Sequence, residues 1–301
     1  MPPLALHQTS WLSVIPHRLN SVGESLVRFR DSPQDSEALH DLRVACRRAE
    51  SALRVCCDLL PPAPAQWLRK RLREVRRLSN ASRDNEVLGK WLKGQAGSFA
   101  RNLRKSLKSE GQQQRVSLVE CVRDVLRGNR WAEHVERVSS SEGSGAEDHT
   151  RRLIARRLRE NLFRFVESLP TEATSPSELH QFRIAGKRLR YSIECVGEMF
   201  PVVKCRSLHR ILPQIQERLG ELHDLDVRLV CLKPWVRDVG ASPQRQESIA
   251  ESQRLLISWQ AWWRSVAWES AVGTALTELL RFSRATKVCS TSKLPLNSRL
   301  A

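Results

Sequence analysis

Residues Ala38–Pro61 (ALHDLRVACRRAESALRVCCDLLP) and Glu178–Pro201 (ELHQFRIAGKRLRYSIECVGEMFP) align without a gap at a spacing of 140 residues. Leu39/Leu179, His40/His180, Arg43/Arg183, Ala45/Ala185, Arg48/Arg188 and Pro61/Pro201 are identical. Leu42/Phe182, Val44/Ile184, Arg47/Lys187 and Asp58/Glu198 are conservative. The same offset continues through Leu68/Leu208, Leu72/Leu212, Asp84/Asp224, Val87/Val227, Leu92/Leu232 and Lys93/Lys233. A single offset held this long reads as an internal duplication, so one structural unit is expected to fold twice within the chain.

The unit is helical. Apolar and basic residues recur with a 3.6-residue period, and runs of alternating β-branched residues are scarce, which predicts an all-α fold. Helices are expected over 10–30, 36–60, 64–79, 85–108, 112–127, 149–168, 177–200, 205–220 and 225–239, with one long helix or two over 242–282. One copy of the repeat then covers about 10–138 and the other about 149–282, together making a single domain over 10–282. The Ser/Gly-rich stretch Ser139–Asp148 reads as a linker and the unpatterned 286–301 as a loosely ordered tail.

The repeat carries its cations on helix faces. In the 36–60 helix, Leu42, Ala45, Ala49, Ala52, Leu53 and Cys56 form an apolar stripe, while His40, Arg43, Arg47 and Arg54 line up on the other side. The second copy sets Phe182, Ala185, Leu189, Ile193 and Val196 against His180, Arg183, Lys187 and Arg190, with Tyr191 at the edge of the basic row. The following helix adds Arg69, Lys70, Arg73, Arg76 and Arg77, and its counterpart adds Arg206, His209 and Arg210. Solvated faces usually interleave acids at i,i+4, whereas like charges stacked at that spacing repel by a few tenths of a kcal/mol per pair. Duplicated rows with few acids predict a surface completed by an external polyanion, for which arginine offers bidentate contacts to phosphate oxygens. His40 and His180, which open their helices, read either as capping or packing residues or as phosphate contacts. Asp84 and Asp224 read as N-caps of the helices that follow them, and Gly220 as the end of the helix before.

Composition agrees. The 301 residues include 50 Lys and Arg against 33 Asp and Glu, a formal charge of +17, which calls for a polyanionic partner without choosing one. No apolar stretch approaches the roughly 18 residues that cross a bilayer, and no signal-like segment opens the chain, so a soluble cytoplasmic protein with no membrane partner is expected. The eight cysteines form no C-x-x-C pair and read as buried free thiols, not disulfides or a metal site.

The pattern H-x-x-R-[VI]-A-x-[RK]-R, followed about 40 residues later by R-D or H-D and then repeated, resembles the CHAD (conserved histidine α-helical domain) family. Here it is carried by His40–Arg48 with Arg83-Asp84, and by His180–Arg188 with His223-Asp224. The resemblance implies two four-helix-bundle halves related by pseudo-two-fold symmetry, with basic surfaces converging on a central groove or pore. It also implies binding of inorganic polyphosphate and association with polyphosphate granules; polyphosphate-metabolising proteins are candidate further partners. Carried over by position, the phosphate-contacting residues are His40, Arg43, Arg47, Arg54, Arg69, Arg73, Arg76, Arg77, His180, Arg183, Lys187, Arg190, Arg206, His209 and Arg210. Arg151, Arg152, Arg156 and Arg157 are weaker additions. Departures from strict repetition are His223 against Arg83, Glu194 against Arg54, and Leu219-Gly220 against Ser79-Asn80.

Rival functions have less support in the residues. The sequence contains no E-x-E, no G-x-x-x-x-G-K-[ST] and no H-E-x-x-H. His223-Asp224 suggests a metal-dependent phosphohydrolase only superficially, because the remaining ligands are not evident. No catalytic residue, cofactor or metal is therefore assigned, and a non-enzymatic binder is expected. Non-specific nucleic-acid binding is the main alternative. It usually brings aromatics into the basic groove, and here only Tyr191 borders one; the cluster of Trp259, Trp262, Trp263 and Trp268 reads as core or contact surface.

Overall fold

A computed structural model describes residues 11–140, 147–171, 175–200, 203, 205–235 and 242–284. Among them there is no strand. The first half runs α1 (Trp11–Asp31), α2 (Ser36–Val55), α3 (Pro62–Lys93), α4 (Ser98–Leu126) and α5 (Arg130–Ser139). The second runs α6 (Glu147–Glu167), α7 (Pro176–Met199), α8 (Arg206–Leu232), α9 (Ser242–Ser265) and α10 (Trp268–Arg284). Single 3-10 turns, Arg127–Asn129 and Lys233–Trp235, follow α4 and α8. The two halves thus present their helices in the same order, each with a fifth helix beyond the long four. Within 242–282 the structure chooses two helices. Most of the expected linker, and the 286–301 tail, lie outside the described residues.

Local signals set several starts. Asp35 accepts a hydrogen bond from the Glu37 amide at 2.8 Å and caps α2. Ser175 and Glu178 form a reciprocal capping box at the start of α7, with Pro176 in the first turn. Gly128 (φ 63°) and Asn129 (φ 59°) adopt left-handed backbone to turn the chain from α4 into α5.

The expected breaks after Ser79 and Gly220 are absent. α3 and α8 run straight through, so Asp84 and Asp224 sit inside helices instead of capping new ones. Packing overrides these weak helix formers. Ser79 is fully buried with its hydroxyl returned to the Arg76 carbonyl, Ser82 is buried, and farther along Leu88 and Leu92 bury against α4. The 85–108 and 112–127 helices correspondingly become the end of α3 and one continuous α4.

One apolar core spans both halves, from Val14 and Ile15 on α1 to Leu279 and Phe282 on α10. It includes the α2–α7 seam, where the Cys56 and Met199 sulfurs lie 3.9 Å apart. A smaller cluster joins the α3–α4 tip (Leu88, Leu92, Phe99, Leu103, Leu107) to Leu232 at the end of α8. Two ion pairs cross the seam reciprocally. Arg18 of α1 reaches Glu198 of α7 at 2.7 Å, and Arg157 of α6 reaches Asp58, just past α2, at 2.6 Å. Asp58 and Glu198 are themselves 140 residues apart.

Candidate polyanion-binding cleft

Four helices pack in a closed circuit: α2 on α3, α3 on α8, α8 on α7 and α7 on α2. Each turns a polar row toward the space they enclose. α2 supplies Arg43, Arg47, Glu50, Ser51 and Arg54; α3 supplies Arg76, Asn80 and Asp84. α7 supplies His180, Arg183, Lys187, Arg188 and Tyr191, and α8 supplies His223. The cleft holds about 480 Å³. Because α7 covers the basic side of α2, Arg43 is 9% exposed and Arg47 is half-buried. This row is therefore walled by the other half of the chain and is not an open helix face.

A second cleft of about 510 Å³ continues from the first, sharing Glu50, Arg54, Arg76 and Arg188 with it. It adds Arg69, Arg73, Arg157, Glu160 and Arg164. Among the described residues, the two together are lined by eleven Arg and Lys side chains and three carboxylates, Glu50, Asp84 and Glu160. Burial, and crowding by Arg188, Arg69 and Arg76, pull the Arg54 guanidinium below its usual value, against the pull of Glu50. The buried Nε–H groups of Arg47 and Arg69 find no acceptor among the described residues. A phosphate oxygen would satisfy such donors.

The shared boundary is built around a buried carboxylate. Glu50 is 2% exposed and meets Arg54 at 2.5 Å and Arg76 at 2.6 Å. The positions 140 residues on carry the same network with its charges exchanged: Arg190 pairs with Glu194 at 2.7 Å and donates to Gln216 at 3.0 Å. The first network sums to one positive charge and the second to none. This is the structural meaning of Glu194 standing against Arg54, and it makes the first half the more cationic wall.

Of the residues assigned from sequence, Arg43, Arg47, Arg54, Arg69, Arg73, Arg76, His180, Arg183 and Lys187 line the joined clefts. His40, Arg77, Arg206, His209 and Arg210 are exposed and stand outside these linings. Arg190 is half-buried in its own ion pair and over the Tyr191 ring. Among the weaker additions, Arg157 lines the second cleft, Arg156 joins it on Asp58, Arg151 lies over the Phe200 ring and Arg152 is exposed.

Sequence reasoning passed over Arg188, Arg164, His223 and Asn80 as site residues. The position of Arg188, beside the His180/Arg183/Lys187 row, was a usable signal; Arg164 had none, because α6 approaches only through tertiary packing. The aromatic cluster packs away from the clefts, with Trp259 buried and stacked on Trp263 at 5.4 Å, and Phe182 against both. Among the described residues, no three His, Cys, Asp or Glu side chains are grouped as a metal site would require. No helix of the described residues is long and apolar enough to cross a membrane.

A family model, the CHAD domain, matches residues 20–233. No curated protein matches the chain. Solved structures that share the fold include the following two. The CHAD domain from the plant Ricinus communis is 22% identical, with a TM-score of 0.57 over 93% of this chain and 95% of that one. PptA from Streptomyces chartreusis is 15% identical, with a TM-score of 0.58 over 85% and 99% respectively.

Proposed function

The chain belongs to the CHAD domain family, and from that premise we propose that it binds inorganic polyphosphate, without turning it over, in the joined clefts between its halves. The observation that carries this reading is the ratio of eleven cations to three carboxylates along one walled surface. Such a surface repels itself when empty and is completed by a flexible polyanion whose successive phosphates meet successive guanidinium groups. Nucleic acid fits less well, because among the described residues Tyr191 is the only Phe, Trp or Tyr side chain lining the clefts and base stacking needs more. Binding of this kind suits a protein that attaches to or organises polyphosphate granules and meets polyphosphate-metabolising proteins there.

The test is a competition titration. Long-chain polyphosphate and DNA are compared at equal phosphate concentration, with released orthophosphate monitored throughout. Polyphosphate should bind more tightly, with affinity falling steeply as salt rises and no orthophosphate appearing. The combined variant R43E/R47E/R183E/K187E should lose binding while keeping its helical circular dichroism. Equal affinity for both polymers, or undiminished binding by that variant, would sink the reading.

A further inference from the structure

The cleft holds two imidazoles, His180 and His223, and the surroundings of the second change sign when an anion enters. His223 of α8 faces His180 of α7 with ring centroids 5.4 Å apart. Both imidazoles also border a narrow side pocket with Pro176, Leu179, Leu219, Leu222 and Leu256, so His223 has an apolar flank as well as a cationic one. Among the described residues, charged and polar groups face it from its own helix and from four others. α7 contributes His180, Arg183 and Lys187; α8 contributes Asp224 and Asp226; α9 contributes Ser252. Across the cleft stand Arg43 and Arg47 of α2 and Asn80 and Asp84 of α3.

In the empty cleft this setting keeps the ring neutral. Burial first, then Arg183, His180 and Lys187, hold His223 down to about 4, and Asp224 opposes them only in part. A phosphate chain lying against Arg183 and Lys187 would cancel their repulsion and place oxyanions beside the ring. One opposite charge within about 4–6 Å raises such a group by roughly 1–3 units, and a polymer brings several.

We propose that His223 is a further phosphate-binding residue which takes up a proton as the polyanion enters, so that the cleft tightens its grip as pH falls below neutral. This rests on the reading of the cleft as the polyphosphate site. The sign follows from linkage: a group whose value is higher in the bound state strengthens binding as pH falls through that bound value, and adds nothing more below its free value. The working window therefore opens at about 4 and closes near or just below neutrality. One histidine can contribute at most about tenfold in affinity per pH unit. The first repeat has no equivalent, since Arg83 stands at that position in the sequence and is already charged.

The experiment is calorimetric titration of the full chain with long-chain inorganic polyphosphate, whose ends are a negligible part of the ligand. It is run from about pH 5.5 to 7.5 in buffers of differing ionisation enthalpy. The wild-type protein should take up on the order of half a proton to one proton near pH 6, with affinity rising toward acid. His223→Gln should remove that uptake and flatten the profile, and His223→Arg should bind tightly with a flat profile. Asp226→Asn should keep the wild-type profile, which separates the imidazole from the one nearby carboxyl that burial raises. Binding with equal proton uptake in wild type and His223→Gln overturns this proposal and leaves the polyphosphate reading intact. No binding at any pH overturns the polyphosphate reading, and this proposal with it.

Discussion

Replacing Glu50 with glutamine should move stability and binding in opposite directions. The Glu50 side chain is 3% exposed and bridges two guanidinium groups, Arg54 at 2.5 Å and Arg76 at 2.6 Å. Removing one partner of a buried pair costs about 3–5 kcal/mol, and the 37% exposure of Arg76 puts this case at the lower end, about 3 kcal/mol. At about 2.1 cal/mol/K of unfolding entropy per residue, a chain of this length should lose about 5 °C in Tm. The same change removes a negative charge from the wall of the clefts. A phosphate seated on the far side of Arg54 and Arg76 would lie about 6 Å from that carboxylate, where a unit charge is worth about 3 kcal/mol at an effective dielectric of 20. Screening at physiological salt reduces this to about 1.4 kcal/mol, or tenfold in Kd. Differential scanning fluorimetry and polyphosphate titration on the same sample give both numbers. A variant of lower Tm with unchanged or weaker binding would show that phosphate does not rest on Arg54 and Arg76. An unchanged Tm would show that the buried pair does not support the fold.

Three further outcomes follow from the packing. Gly186 lies inside α7, where an added Cβ meets Phe165, Ile215 and Leu212 at 3.6–3.9 Å, ordinary contact distances; Gly186→Ala should therefore raise the urea midpoint by the equivalent of about 0.5–1 kcal/mol. Asp58 is held below the usual carboxylate range by hydrogen bonds from Arg157 and Arg156, so its contribution is present above about pH 4 and is lost as pH falls through the lowered value. Asp58→Asn should cost about 1 kcal/mol or less at pH 7 and progressively less as pH falls below about 4, read as convergence of the two Tm profiles toward acid. Burial pushes the Cys46 and Cys195 thiols up to about 12, so mass spectrometry after brief alkylation at pH 8 should find both unmodified in the folded protein.

The helical class and the positions of the basic rows were legible because they rest on local periodicity. Arg43, Arg47, Arg183 and Lys187 share helix faces whatever the helices pack against. What those faces meet was not legible. The pairing of α2 with α7 depends on contacts between residues about 140 apart, so a row read as open surface turns out to be the wall of a cleft. The helix boundaries near Ser79 and Gly220 were misplaced for a related reason. Ser, Asn, Asp and Gly are poor helix formers in isolation, but tertiary packing on both sides of Asn80–Asp84 outweighs their fraction of a kcal/mol each. Polar residues taken as punctuation were in fact the cleft-facing stretch of a continuous helix. His223 was noticed beside Asp224, but its burial against Leu219 and Leu222, which keeps it neutral, depends on the side pocket and on no local motif.

The reciprocal ion pairs carry a consequence for the halves taken singly. The first half holds Arg18 and Asp58, one member of each seam-crossing pair, and the second holds Glu198 and Arg157. Residues 11–140 alone would expose the apolar side of the seam around Cys56 while keeping an acid and a base placed to answer one another in a second copy. Such a surface is self-complementary about a two-fold axis, which is the requirement for an isologous dimer. Expressed separately, that half should run as a dimer in light scattering and dissociate at high salt and low concentration; a stable monomer would show that the seam has no such capacity. A dimer of that half would make the seam within this chain the counterpart of a homodimer interface, with its two sides joined in one polypeptide and free to carry different charges.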